Sequence, residues 1–103
     1  MDSFKASEGF SAMGAAARLD VLRLLVKAGD GGLLVGELQK NLKIPASTLA
    51  HHLKYLALAD LIHQEKQGRA IRSRANYDHL SALAAFILNE CCLDETPQDS
   101  LAK

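Results

Sequence analysis

Two apolar-striped segments separated by three residues constrain this chain more than any other feature. In the first, Leu34, Leu38 and Leu42 recur at helical spacing within Leu33 to Leu42. In the second, Leu49, Leu53 and Leu56 do so within Ala46 to Asp60. Between them stands Lys43-Ile44-Pro45. Proline fits the first turn of a helix and not its interior. The break therefore ends one helix and starts another, and so short a link makes a helix-turn-helix unit.

The flanks complete the frame. Lys5 to Ala17 is Ala-rich, with Phe4, Phe10 and Met13, and reads as a first helix. Arg18 to Ala28 carries Leu19, Leu22, Leu25 and Val26 at helical spacing and is stopped by Gly29-Asp30-Gly31-Gly32. Downstream, Ile62 to Gln67 and Ala70 to Tyr77 flank Gly68-Arg69, which predicts two strands joined by a tight basic turn. Asp78 to Cys92 reads as a last helix, with Leu80, Leu83, Ala84, Ile87, Leu88 and Cys91 on one face. The expected fold is mainly α with a small β-hairpin, a winged helix-turn-helix. Residues 1–93 are expected to form one domain and 94–103, with Pro97, a flexible tail.

Several function classes are excluded at this level. At 103 residues the chain has the size of one domain. A domain this small often gains stability by pairing with a copy of itself. No apolar run approaches the roughly 20 residues a bilayer requires. Met1-Asp2-Ser3-Phe4-Lys5 lacks the layout of a secretory leader. A cytoplasmic protein without a membrane partner is expected. The cysteines, Cys91 and Cys92, are neighbours and cannot staple distant segments. No Ser/His/acid arrangement, Gly-rich phosphate loop or carboxylate pair suggests an enzyme.

The formal net charge is zero, but the charges are segregated. Residues 1–42 balance. Lys43 to Arg74 holds six cations against Asp60 and Glu65, and Ala75 to Lys103 holds one against five acids. DNA affinity follows local basic surface, because that surface displaces phosphate counterions.

The second helix of such a unit lies in the major groove. At about 100° per residue, Ser47, Thr48, His51, Lys54 and Tyr55 point away from the leucine stripe. Their hydroxyls, imidazole and ammonium suit base edges and phosphates. His52 lies nearer the stripe, where packing and DNA contact are both open. The hairpin carries Lys66, Arg69, Arg72 and Arg74. Arg69, beside Gly68 at the tip, suits a phosphate or the minor groove. Arg72 and Arg74 could equally be plain surface charges.

Pro45-Ala46-Ser47-Thr48-Leu49-Ala50-His51-His52-Leu53-Lys54-Tyr55-Leu56, followed by Ala59-Asp60-Leu61-Ile62, resembles the recognition-helix signature of the ArsR/SmtB family. Ala17-Arg18-Leu19-Asp20-Val21-Leu22-Arg23-Leu24-Leu25 resembles that family's second helix, and Gln67-Gly68-Arg69 its wing turn. The similarity spans roughly Phe10 to Cys92. It departs at Pro45, where a hydroxyl cap is common. The resemblance implies a homodimer on double-stranded operator DNA, paired through the segments near Phe4–Ala15 and Leu80–Cys92.

The resemblance also directs attention to metal sites. Leu33-Leu34-Val35-Gly36-Glu37-Leu38 has no Cys, so the site on that helix is absent. Asp78, His79 and Glu90 lack the second, downstream His of the last-helix site. Asn89-Glu90-Cys91-Cys92 resembles the C-terminal vicinal pair of an arsenite-responsive branch, without that branch's third Cys. This implies a repressor released by As(III) or Sb(III) at Cys91 and Cys92, with no cofactor required.

The chemistry agrees, since soft sulfur selects soft centres. A disulfide between neighbours is disfavoured: Cα atoms about 3.8 Å apart fall below the usual span of about 4.4–6.8 Å. A helix C-terminus and the acids Glu90, Asp94 and Glu95 disfavour a thiolate. Thiol-redox or reactive-sulfur sensing, a purely structural pair, and a protein-interaction module without inducer remain open.

Overall fold

The computed structural model describes residues 1–95, so most of the expected tail, 96–103, lies outside the described residues. The order is α1 (Ser3–Met13), α2 (Ala16–Ala28), a 3₁₀ turn (Gly29–Gly31), β1 (Leu33–Leu34), α3 (Val35–Leu42), α4 (Ala46–Leu58), β2 (Ile62–Gln67), β3 (Ala70–Ala75) and α5 (Tyr77–Leu88). Helices α3 and α4 form the helix-turn-helix, and β2–β3 is the wing. No helix among the described residues is long and apolar enough to cross a membrane.

Local chemistry sets most boundaries. Asp2 caps α1, its carboxylate accepting from the Lys5 amide at 2.8 Å. Gly14 ends that helix, so α1 stops at Met13 rather than Ala17. The Glu37 carboxylate reaches back to the Leu34 amide at 2.9 Å and fixes the start of α3. Lys43 takes the left-handed conformation (φ 54°) that closes α3, and its amide donates to the Gln39 carbonyl. Pro45 starts α4 without a side-chain cap, as the sequence implies.

Four further expectations need correction. Leu33 and Leu34 do not extend α3; they pair with Ser73 and Arg72 as a third strand, giving the antiparallel order β1-β3-β2. A glycine run precedes them, and an extended pair seats apolar side chains against β3. Leu19 and Val26 are largely exposed, and the buried face of α2 is Val21, Leu22 and Leu25. The last helix ends at Leu88, because Asn89 turns extended and Glu90 and Cys92 adopt positive φ. Cys91 and Cys92 therefore lie on turns beyond α5 and not on its apolar face. At the other end Tyr77 belongs to α5, capped by Asn76, and not to β3.

Leu25, Leu38, Leu49, Leu56 and Leu61 are fully buried and lock α2, α3 and α4 together. Leu83 of α5 closes on Gly9 of α1, where an added Cβ would meet its methyl at 2.8 Å. Tyr77 donates its hydroxyl to the Val26 carbonyl at 3.0 Å, fastening α5 to the end of α2.

Gly32 is the tightest point. Its φ of +61° is in the left-handed region, and a Cβ there would collide with the Ser73 carbonyl oxygen. Gly32→Ala is expected to cost at least about 2 kcal/mol, whereas Gly36→Ala in α3, which meets nothing, gains up to about 1 kcal/mol. Urea denaturation of the two variants checks the pair.

Candidate nucleic-acid interface

Because Leu49, Leu53 and Leu56 are buried, the opposite face of α4 is forced outward. Ser47, Thr48, His51, Lys54 and Tyr55 are all exposed. Pro45 supplies no cap, so the first amides of α4 are left for an outside acceptor, and a helix N-terminus favours anions. His52 is half-buried. Its Nδ1 is shielded and has no hydrogen-bond partner among the described residues. Burial, then the neighbouring Arg18 and His51 charges, push its pKa below the ordinary 6.5 and keep the ring neutral.

The outward side chains touch one another. The rings of His51 and Tyr55 meet edge to face with centroids 4.9 Å apart. The Arg18 guanidinium of α2 lies over the Tyr55 ring, 4.8 Å from its centroid. Arg18 was not singled out by the sequence, because this contact spans distant positions and follows no local spacing.

The wing divides its basic residues between two tasks. Lys66 and Arg69 are exposed at the tip, around Gly68 at φ 63°. Arg72 instead donates to the Gly31 carbonyl at 2.9 Å and to the Gln67 side chain at 3.1 Å. Arg74 donates to the Asp30 carbonyl at 2.9 Å and pairs with Glu65 at 2.8 Å. Hydrogen bonds from Gln67 and Arg74 hold the Glu65 carboxyl below the usual carboxylate range. These arginines tie β3 to the 3₁₀ turn, so the free charge of the wing is concentrated at Lys66 and Arg69.

Residues 13–65 match the model of a helix-turn-helix domain family. The chain is 39% identical over 64 residues, covering 62% of its own length and 70% of the relative, to an uncharacterized HTH-type transcriptional regulator of Methanocaldococcus jannaschii. The chain belongs to the helix-turn-helix transcriptional regulators.

Solved structures place its fold among ArsR-family regulators. An ArsR-like regulator from Rhodococcus sp. RHA1 superposes with a TM-score of 0.72 at 26% identity, over 87% of this chain and 81% of that one. HlyU from Vibrio cholerae superposes with a TM-score of 0.70 at 28% identity, over 87% and 95%. The Methanocaldococcus and Rhodococcus relatives are transcriptional regulators, a non-enzymatic class.

Beyond α5, the regulator presents Cys91 and Cys92 as exposed free thiols. Their Sγ atoms lie 3.1 Å apart, within reach of an S–H···S bond. That bond, and then Glu95, push the Cys92 thiol up, so it keeps its proton. No group of three His, Cys, Asp or Glu side chains that could hold a metal occurs among the described residues.

The depressed His52 pKa carries a sign. The neutral ring is preferred in the fold, so its contribution is present above pH 6.5 and is lost as pH falls through the lower folded value. Wild type is expected to lose more stability than His52→Gln between about pH 7.5 and about pH 5.5, measured by urea denaturation.

Proposed function

We propose that this regulator is a homodimeric repressor of double-stranded operator DNA, released when As(III) or Sb(III) binds Cys91 and Cys92. What supports DNA reading is the polar face of α4 lying beside a wing whose free cations sit at the tip. Thr48 and His51 read base edges; Ser47, Lys54, Lys66 and Arg69 hold phosphates. Arg72 contributes by fixing the wing. His52 supports the helix from its inner side.

Pairing is supported by the apolar residues that α1, α5 and the turns after α5 leave outside: Phe4, Ile87, Leu88 and Leu93 are 63–75% exposed. A two-fold copy covers them and sets two α4 helices on successive half-sites, about 34–36 Å apart.

The inducer reading rests on the thiol pair. Two sulfurs 3.1 Å apart on an exposed turn fit one soft trivalent centre. Capture needs no preformed thiolate: each thiol proton leaves with a hydroxide of the metalloid as water, and two S–As bonds replace two O–As bonds. The third position is filled by hydroxide or by the other subunit. Because Cys91 donates its amide to the Leu88 carbonyl at 2.9 Å, chelation stiffens the turns beside the exposed Ile87 and Leu88. The dimer face then shifts and the half-site spacing is lost.

Two outcomes are expected by fluorescence anisotropy with the duplex upstream of the regulator's own gene. Arg69→Ala weakens binding to every duplex alike and lowers the salt slope by about 1, whereas His51→Ala costs about 1–3 kcal/mol on the operator alone. Salt-insensitive, weak binding by wild type identifies a protein-interaction module instead. Arsenite releases wild type and leaves a Cys91→Ser/Cys92→Ser double variant bound. Release by oxidants or persulfides, but not by arsenite, assigns the pair to thiol sensing.

A further inference from the structure

Arg18 makes a contact that neither base reading nor inducer capture uses. It stands in the first turn of α2 and is partly buried. Its Nε donates to the Ala12 carbonyl at 2.6 Å. That carbonyl is among the last of α1, which have no partner within their own helix. The same guanidinium lies over the Tyr55 ring, 4.8 Å from its centroid, and that ring meets His51 edge to face with centroids 4.9 Å apart. Among the described residues no carboxylate lies within ion-pair distance of Arg18. One planar cation thus joins the end of α1 to the outward face of α4.

We infer that Arg18 is a positioning residue for DNA reading: a strut from α1 that holds Tyr55, and through it the His51 imidazole, in the orientation that meets the base edge. Tyr55 would otherwise be a half-exposed ring on a helix surface, free to change rotamer. A guanidinium suits the strut because it can stack flat on the ring while its edge donates to a carbonyl. An ammonium cannot do both. A displacement of α1 moves the Ala12 carbonyl, and the strut carries that displacement to the reading face. The inference rests on the operator-binding reading above.

The test uses full-length wild type, Arg18→Gln, Arg18→Lys, Tyr55→Phe, Tyr55→Leu, His51→Ala and the Arg18→Gln/His51→Ala double variant. Each is titrated by anisotropy with the operator duplex and with a scrambled duplex over a salt series, and its thermal midpoint is recorded. Arg18→Gln and Tyr55→Leu are expected to lower operator affinity roughly 5- to 20-fold while changing scrambled-duplex affinity less than about 2-fold. Arg18→Lys falls with them, although its charge is kept, and Tyr55→Phe, which keeps a ring under the guanidinium, falls less than Tyr55→Leu. The double variant binds no more weakly than His51→Ala alone.

The His51 imidazole proton resonances, displaced by the Tyr55 ring in wild type, move toward free-histidine positions in Arg18→Gln. Equal losses on both duplexes, full rescue by Arg18→Lys, or additivity with His51→Ala overturn the strut and leave Arg18 as a phosphate contact. A melting loss with unchanged His51 resonances reduces it to a fold contact and overturns it too. If wild type prefers no duplex, the operator-binding reading itself fails, which is a separate result.

Discussion

The fit of β3 against the turn after α2 is the constraint on which the rest of the structure depends. A winged reader works only if wing and recognition helix keep a fixed separation, and both are referred to β3. Its inner residues Ser73 and Ala75 are buried; Ser73 also receives the Gln64 amide at 3.2 Å. Gly32 lets the chain pass so close to the Ser73 carbonyl that no other residue fits. Arg72 and Arg74 then cross the same gap in the opposite direction, to the carbonyls of Gly31 and Asp30. Sterics set the approach and charge-assisted hydrogen bonds hold it. The base of the wing is therefore held in place, while its tip at Gly68-Arg69 is exposed.

This also explains a feature that the charge count alone obscures. Six cations between Lys43 and Arg74 suggest a broadly basic face. Two of them are spent on carbonyls, and Glu65 neutralises part of what Arg74 retains. What remains outward is a sparse set: Lys43 before α4, Lys54 on it, and Lys66 and Arg69 at the tip. On the proposed reading, a sparse set gives a shallow salt dependence and leaves discrimination to the polar side chains at the start of α4, which suits a chain whose net charge is zero.

The helix-turn-helix was legible because its signals are local. The Pro45 break, the leucine stripes and the Gly68-Arg69 turn all act within a few residues of one another, and the outward set on α4 follows from helical periodicity alone. What escaped was set by distant partners. Leu33 and Leu34 read as helix because their spacing with Leu38 is helical; only β3, far along the chain, makes them a strand. Leu19 and Val26 looked like core because their spacing matched, yet α2 turns Val21 and Leu25 inward instead. The roles of Arg18 and Arg72 depend on backbone carbonyls, which leave no trace in a residue pattern.

The end of α5 matters most for how an inducer could act. A thiol pair on the apolar face of a helix would act by wedging that helix away from its neighbour. On the turns after Leu88 it cannot, because those turns are exposed and carry short-range bonds such as Cys91 to Leu88 and Leu93 to Glu90. In the proposed function a ligand there acts by ordering: it selects one arrangement of a segment that has few buried contacts to select it. The coupling it delivers is limited by how differently the two arrangements present Ile87, Leu88 and Leu93 to a second copy. Apolar contact depends steeply on fit, and burying or exposing one such side chain is worth about 1.5–3 kcal/mol. Losing even one of these contacts on each subunit reaches the range of about 1–3 kcal/mol typical of allosteric coupling. In the proposed dimer, a two-sulfur clasp at the edge of the paired face would thus be enough to change operator affinity without any contact to the reading helix.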